Sequence, residues 1–206
     1  MSAAAAARPG LLALVLALAA SSTLAHAPGR RSAAELMDAI MWNRETIGGP
    51  FALTDQQGRR RTDADFRGRL MLVYFGFTAC ADVCPGDLQQ IATALQQLGP
   101  AGEDVQPIFI TLDPAHDTPA RLAQYVPHFH PRLLGLTGTA RQIDQVASAY
   151  RVYYRTVARP RRAGDAVDHS AFIYLMDREG KYLGFFPPGT PAARLRQVIQ
   201  PYLGTP

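Results

Sequence analysis

Cys80 and Cys84 are the two cysteines of this 206-residue chain, and they stand together in Phe77-Thr-Ala-Cys-Ala-Asp-Val-Cys-Pro85. A single close pair excludes a disulfide-stapled scaffold and leaves a metal site or a redox pair as the chemistry to consider. If a helix begins by Cys80, the four-residue spacing puts both sulfurs on one face, with Cβ atoms roughly 5–6 Å apart. The free N–H groups and partial positive charge at a helix start favour thiolate over thiol, which raises nucleophilicity and metal affinity together. Two soft thiolates select a soft ion, and Cu(I) is satisfied by two or three ligands where zinc normally takes four. A third ligand must then come from elsewhere. His169, in Val167-Asp-His-Ser170, is the candidate: it follows a basic loop and enters an apolar strand, where strand ends and loops of such sheets meet ligands. The plainer readings are a structural disulfide, which stabilises little across so short a loop, and a partly buried histidine bonded to backbone.

The elements that must position these residues are legible from apolar patterning. Leu70-Met-Leu-Val-Tyr-Phe75 is a continuous apolar run of strand length, as expected of a strand buried on both faces, and it leads directly to the cysteines. Leu88, Ile91, Ala92, Leu95 and Leu98 then fall at helical spacing, and Gly99-Pro100 stops that helix. The pair therefore sits at a strand-to-helix junction. A second buried strand is expected over 105–112, a helix capped by Thr118 with Pro119 at its first position, a short strand over 133–137, and a helix opened by the capping box Thr139-Ala-Arg-Gln142. Ile143, Val146, Ala147 and Tyr150 form its buried stripe. Residues 170–176 and 182–186 read as a hairpin across Asp177-Arg-Glu-Gly180, followed by an amphipathic helix with Leu195, Val198, Ile199 and Tyr202 inward. Ahead of all this, from Gly49, a small hairpin leads in. Alternating β and α followed by a hairpin and helix predicts an α/β, thioredoxin-like fold: a central mixed β-sheet flanked by helices, with an N-terminal hairpin extension.

The first 27 residues read as an export signal or membrane anchor. Arg8 precedes the apolar run Leu11 to Ala20, and Ala25-His26-Ala27 is the small-x-small pattern of a cleavage site. The run is shorter than the ~20 apolar residues that cross a bilayer. Residues 28–48 are expected as a linker and 49–206 as the folded domain, placed in the periplasm or an equivalent extracytoplasmic space, soluble after cleavage or held at the inner membrane through the uncleaved segment. In an oxidising space two neighbouring thiols close into a disulfide unless a metal or a reductant keeps them apart. The formal charge is +4; Arg8 is the only charged residue of the first 27, and the rest are scattered apart from a cluster at 159–162, too mild a balance to argue for nucleic acid.

With these residues in view, the chain resembles the Sco/SenC family of copper chaperones for cytochrome c oxidase, from about Gly49 to the end. The resemblance is carried by Phe75-Gly-Phe-Thr78, by Cys80 with Cys84-Pro85, by Leu112-Asp-Pro114 with Asp117-Thr-Pro119, and by Asp168-His-Ser170, all in order. It implies a thioredoxin fold, a copper ion as Cu(I) or Cu(II) on Cys80, Cys84 and His169, and transfer of copper or electrons to the copper A subunit of the oxidase, with other copper carriers or thiol reductants as further partners. The family usually has proline after its first cysteine; Ala81 stands here and leaves a backbone donor free. Asp82 is expected to face a partner or a loop amide, since its charge would oppose thiolates. Asp113 and Asp117 are expected to cap the helix that Pro119 begins, with orientation of the site as the alternative. His128 and His130 read as surface residues, and His116 and His26 as residues without a role. The rival functions are a thiol-disulfide reductase, in which Cys80 and Cys84 are the catalytic redox pair, and a thiol peroxidase, for which the short spacing offers no support.

Overall fold

The computed structural model describes residues 46–157 and 166–204. In chain order the elements are β1 (Ala52–Asp55), β2 (Arg60–Thr62), β3 (Leu70–Gly76), α1 (Val83–Leu98), β4 (Val105–Thr111), α2 (Pro119–Tyr125), β5 (Leu134–Thr137), α3 (Ala140–Ala149), β6 (Tyr154–Val157), β7 (Ala166–His169), β8 (Ile173–Met176), β9 (Tyr182–Phe186) and α4 (Ala192–Ile199). Seven strands form one sheet in the order β2-β1-β5-β4-β3-β8-β9, and β6 and β7 form a separate two-stranded ribbon. In the sheet β4 runs parallel to β3 and β5. β1 lies antiparallel to β5, and β8 antiparallel to β3 and β9. The sheet is thus mixed, as expected, and the leading hairpin extends one of its edges.

The apolar run 70–75, extended by Gly76, becomes the strand on which the site is built. All seven residues of β3 are buried, because β4 and β8 flank it and both of its faces are covered. Alternation then sorts its aromatic rings. Phe75 packs against Tyr150 at 5.3 Å and Tyr174 at 5.9 Å between ring centroids. Tyr74 points the other way, stacks on Phe109 at 6.5 Å, and shares its face with Cys84 at the start of α1. Along α1, Leu88, Ile91, Ala92 and Leu95 are buried as their spacing predicts, and Gly99, with φ 58°, ends the helix in a conformation that favours glycine. The caps expected of the next two helices are formed: Thr118 Oγ1 accepts from the Arg121 amide, and Thr139 and Gln142 make the reciprocal box.

Four features differ from the sequence-based expectation. Helix α1 starts at Val83 with Asp82 at its N-cap, so Cys80 lies in the preceding turn and not on a shared helical face. His169 ends β7 of the separate ribbon; it does not lie on the sheet strand, which begins only at Ile173. The packed body reaches back to Ile47, which is buried, and the Gly48 amide donates to the Ala149 carbonyl at 2.9 Å, two residues before the expected start at Gly49. Tyr202 falls beyond α4 in a final turn and is exposed, because the helix ends at Ile199 and its apolar stripe with it. The segments 1–27 and 28–45, and the basic patch at 158–164, lie outside the described residues.

The leading hairpin is closed by one buried carboxylate. Asp55 Oδ1 accepts from the Gln57 and Arg59 amides, each at 2.9 Å, and Oδ2 accepts from Arg61 Nε at 2.8 Å. Burial pushes its pKa up, but the two amides and the guanidinium outweigh burial and hold it below the ordinary carboxylate value. A depressed folded-state pKa stabilises the protein above the unfolded-state value, about 3.9, and that contribution is lost as pH falls through the folded-state pKa. Asp55→Asn is expected to cost ~1–3 kcal/mol at neutral pH. In thermal melts followed by circular dichroism, the gap between parent and variant closes as pH falls below about 4.

Candidate metal centre

Strand β3 ends at Gly76, and the chain turns through residues 77–82 before α1 begins. The turn is fastened at both ends. The Cys80 amide donates to the Phe77 carbonyl at 3.2 Å. Thr78 is held by Asp117, whose carboxylate accepts from the Thr78 amide at 2.9 Å, the Thr78 hydroxyl at 2.6 Å and the Thr111 hydroxyl at 2.6 Å. Asp117 is buried, so these three bonds replace its lost hydration. Capping of α2 falls to Thr118; Asp117 orients the site, and the expectation that it caps the helix is corrected. Asp113 does not cap either: its carboxylate meets His116 Nδ1 at 2.9 Å, a partner the sequence did not reveal.

Cys84 is fully buried at the second position of α1, and Cys80 is half-buried in the turn; both are free thiols. Cys84 Sγ lies 3.6 Å from His169 Nε2, and the His169 ring stands edge-on to Phe77 at 6.0 Å. His169 is delivered by the end of the β6–β7 ribbon, where Tyr154 pairs with it in register. Ser170 locks that end: its amide donates to the Tyr153 carbonyl at 2.9 Å, and its hydroxyl accepts from the Tyr153 amide at 3.1 Å. The serine of Asp-His-Ser is thereby a positioning residue. The aspartate, Asp168, makes an exposed cross-strand pair with Arg155 at 3.7 Å, an interaction worth little in water.

Gly76 owes its identity to close approach. A Cβ there would meet Cys84 Sγ at 2.9 Å, Tyr74 Cε1 at 3.1 Å and Phe109 Cε2 at 3.1 Å. In the sequence Gly76 stands inside the motif Phe75-Gly-Phe-Thr78, and its packing role was not legible there. Sequence reading passed over Asp87, although an acid three residues after Cys84, on the apolar stripe of α1, was a usable signal. Asp87 is buried, and its Oδ1 accepts from the Gly189 amide at 2.7 Å.

The two sulfurs are polarised in opposite directions. The Cys80 thiol pKa is held well below its ordinary value, first by a hydrogen bond from Cys84, against the opposing effect of burial, and further by His169 and the Asp82 and Cys84 amides. The Cys84 pKa is raised by the same bond, by burial and by the negative charge on Cys80. One proton is therefore shared, with the accessible Cys80 as thiolate and the buried Cys84 as thiol. The amide of Asp82 serves Cys80 while its side chain is exposed. Ala81 is exposed too.

This donor set suits a soft ion. Bonds of about 2.3 Å to sulfur and about 2.0 Å to nitrogen set the two atoms roughly 3.7 Å apart at a trigonal angle, close to the 3.6 Å between Cys84 Sγ and His169 Nε2. Among the described residues no three such side chains already form a finished coordination shell. His128 and His130 take no part: His128 is exposed, and His130 Nδ1 accepts from the Arg132 amide at 3.2 Å.

A mixed sheet with a dithiol at the β3–α1 junction and a histidine brought in from a later strand defines a thioredoxin-like domain of the metal-or-redox kind. The chain belongs to the SCO1/SenC family, whose pattern it matches over residues 41–204. It is similar to the mitochondrial SCO2 homolog of Bos taurus, 44% identical over 157 residues, covering 75% of this chain and 59% of that protein. The chain thus spans about three fifths of that relative's length. Among solved structures it is similar to Bradyrhizobium japonicum ScoI with copper bound, at 40% identity and TM-score 0.71, covering 76% of this chain and 99% of that one. Yeast Sco1 with copper bound follows at 37% identity and TM-score 0.70, covering 77% and 89%.

Two outcomes are expected. Iodoacetamide at neutral pH alkylates Cys80 of the reduced, metal-free chain before Cys84, as read by peptide mass spectrometry; equal rates would contradict the polarised pair. Asp117→Asn, which puts an amide donor against groups that themselves donate, costs ~1–3 kcal/mol in urea unfolding and speeds Cys80 alkylation by loosening its turn.

Proposed function

We propose that this chain is an extracytoplasmic metallochaperone that carries one copper ion on Cys80, Cys84 and His169 and serves assembly of the copper A site of cytochrome c oxidase. The observation that carries this reading is the placement of His169 Nε2 3.6 Å from Cys84 Sγ, two residues 85 positions apart in sequence with a soft-donor set between them. Membership of the SCO1/SenC family supports it, as do the copper-bound neighbours. The partial exposure of Cys80 suits a cargo site: a half-exposed thiolate lets an incoming carrier or the recipient's own ligands attack the ion, while the buried Cys84 and the half-buried His169 hold it from the other side. The recipient is the copper A subunit of the oxidase; other copper carriers or thiol reductants load the site or reopen it.

The polarised dithiol favours a second reading, thiol-disulfide reductase toward exported proteins. An accessible thiolate, Cys80, and a buried thiol, Cys84, are the nucleophile and resolving group that such exchange requires. The two roles are compatible, because reducing a recipient's cysteines and delivering metal to them use the same pair. The amino-terminal 27 residues as signal or anchor, 28–48 as linker and the periplasm or its equivalent as location belong to this proposal. Among the described residues no helix is long and apolar enough to cross a membrane.

Titration of the reduced chain with Cu(II) is expected to saturate at one equivalent, with a sulfur-to-copper charge-transfer band that disappears when both cysteines are replaced by serine. His169→Ala is expected to weaken binding by at least about tenfold, the lower end of the loss seen even when groups outside the ligand shell are removed. If His169→Ala held copper as tightly as the parent, the ligand set would be wrong. Disulfide reduction by His169→Ala that stays undiminished with a copper chelator present would instead support the reductase.

A further inference from the structure

Around Cys84 three polar atoms are buried without a hydrogen-bond partner among the described residues: Tyr74 Oη, Asp87 Oδ2 and His169 Nδ1. Such atoms are rare in native interiors, and several around one sulfur call for an account. The Tyr74 ring and Cys84 Sγ close on the same point above Gly76, at 3.1 Å and 2.9 Å from where a Cβ would stand. The Tyr74 hydroxyl is within interaction reach of both Cys84 and Asp87. Asp87 has committed Oδ1 to the Gly189 amide at 2.7 Å, which leaves Oδ2 for the tyrosine. One O–H thus faces two acceptors, a sulfur and a carboxyl oxygen, and it serves one at a time.

Resting on the copper-thiolate reading above, we propose that Tyr74 and Asp87 are a positioning pair that tunes Cys84: the Tyr74 hydroxyl donates to the Cys84 sulfur when that sulfur is reduced or metal-bound, and to Asp87 Oδ2 when it is tied up in a disulfide. A disulfide sulfur is a poor acceptor and a metal-bound thiolate a good one, so the state of the sulfur selects the bond. The donated bond stabilises the reduced and metal-bound forms relative to the disulfide. It also withdraws electron density from sulfur, as hydrogen bonds around a copper-binding thiolate do. His169 reaches the ion through Nε2 and its ring stands against Phe77, so Tyr74 acts on the buried sulfur and not on the histidine. This is a role outside the ligand set, carried by residues that touch neither solvent nor cargo.

The test uses the full chain and three conservative variants. Tyr74→Phe removes the donor. Asp87→Asn must keep its carbonyl on the Gly189 amide, so its NH2 faces Tyr74 and directs the tyrosine proton permanently to sulfur. Tyr150→Phe removes the hydroxyl of an equally buried tyrosine whose ring packs against Phe75 and Tyr174 on the other face of β3, and serves as the control. In Cu(II) titrations the charge-transfer band is expected at lower energy in Tyr74→Phe, at equal or higher energy in Asp87→Asn, and unmoved in Tyr150→Phe. The double variant matches Tyr74→Phe. In the metal-free chain, the dithiol–disulfide equilibrium of Tyr74→Phe shifts about tenfold toward the disulfide, a potential more negative by ~30 mV. The potential is measured without metal, so loss of the copper band in the parent would sink the copper reading while this arm still decides the pair. Identical potentials and band energies in parent and Tyr74→Phe would overturn the proposal. A shift of Asp87→Asn in the same direction as Tyr74→Phe would remove Asp87 from it.

Discussion

Burial of one sulfur governs the architecture around it. Cys84 sits at the start of a helix packed against an interior strand of the sheet, with no contact with water. A charged group there would be costly without compensation, and each neighbouring element supplies some part of that compensation or makes room for it. Gly76 gives up a side chain so that the sulfur fits against the strand. Cys80 takes the negative charge on the accessible side. His169 arrives from a strand outside the main sheet. The same burial makes the sulfur useful: an ion or a disulfide at Cys84 is shielded, while its partner at Cys80 can be reached.

Rigidity of the surrounding turn follows from a second buried acid. Asp117 gathers three donors from Thr78 and Thr111, which ties the turn bearing Cys80 to the end of β4. The turn residues themselves make few bonds, so without this tie their backbone would be free to sample other positions, at a cost in preorganised geometry. The ribbon performs the matching task for His169, through the register of β6 with β7 and the two-way bonding of Ser170 with Tyr153. The irregular turn that bears Cys80 and the peripheral strand that bears His169 are in this way each fastened by one short-range network.

Much of this was readable in advance. The run 70–75, the stripe of α1, the caps at Thr118 and Thr139 and the closing hairpin are local signals, each set by periodicity or by a capping side chain within a few residues, and each led to the element formed. The cysteine pair and His169 were legible by residue type and motif. What escaped was non-local or depended on where an element began. Helix α1 starting at Val83 separated Cys80 from the face that Cys84 occupies. The β6–β7 ribbon carries a polar, exposed strand end whose pattern does not announce a strand. Asp117 looked like a cap because it precedes Thr118-Pro119, and only the fold shows that Thr78, 39 positions away, is the group it holds.

By itself, then, the amino-acid sequence determined the thioredoxin-like order of elements and the inventory of soft donors, because hydrophobic period, caps and side-chain chemistry are properties of short stretches. Tertiary structure alone decided that Cys80 is the accessible thiolate and Cys84 the buried thiol, that His169 Nε2 meets the buried one, and that Gly76, Tyr74 and Asp87 stand around it. Those assignments depend on burial and on distances between residues far apart in the chain, and in a dense interior a difference of one methyl group or one helical turn is enough to change them.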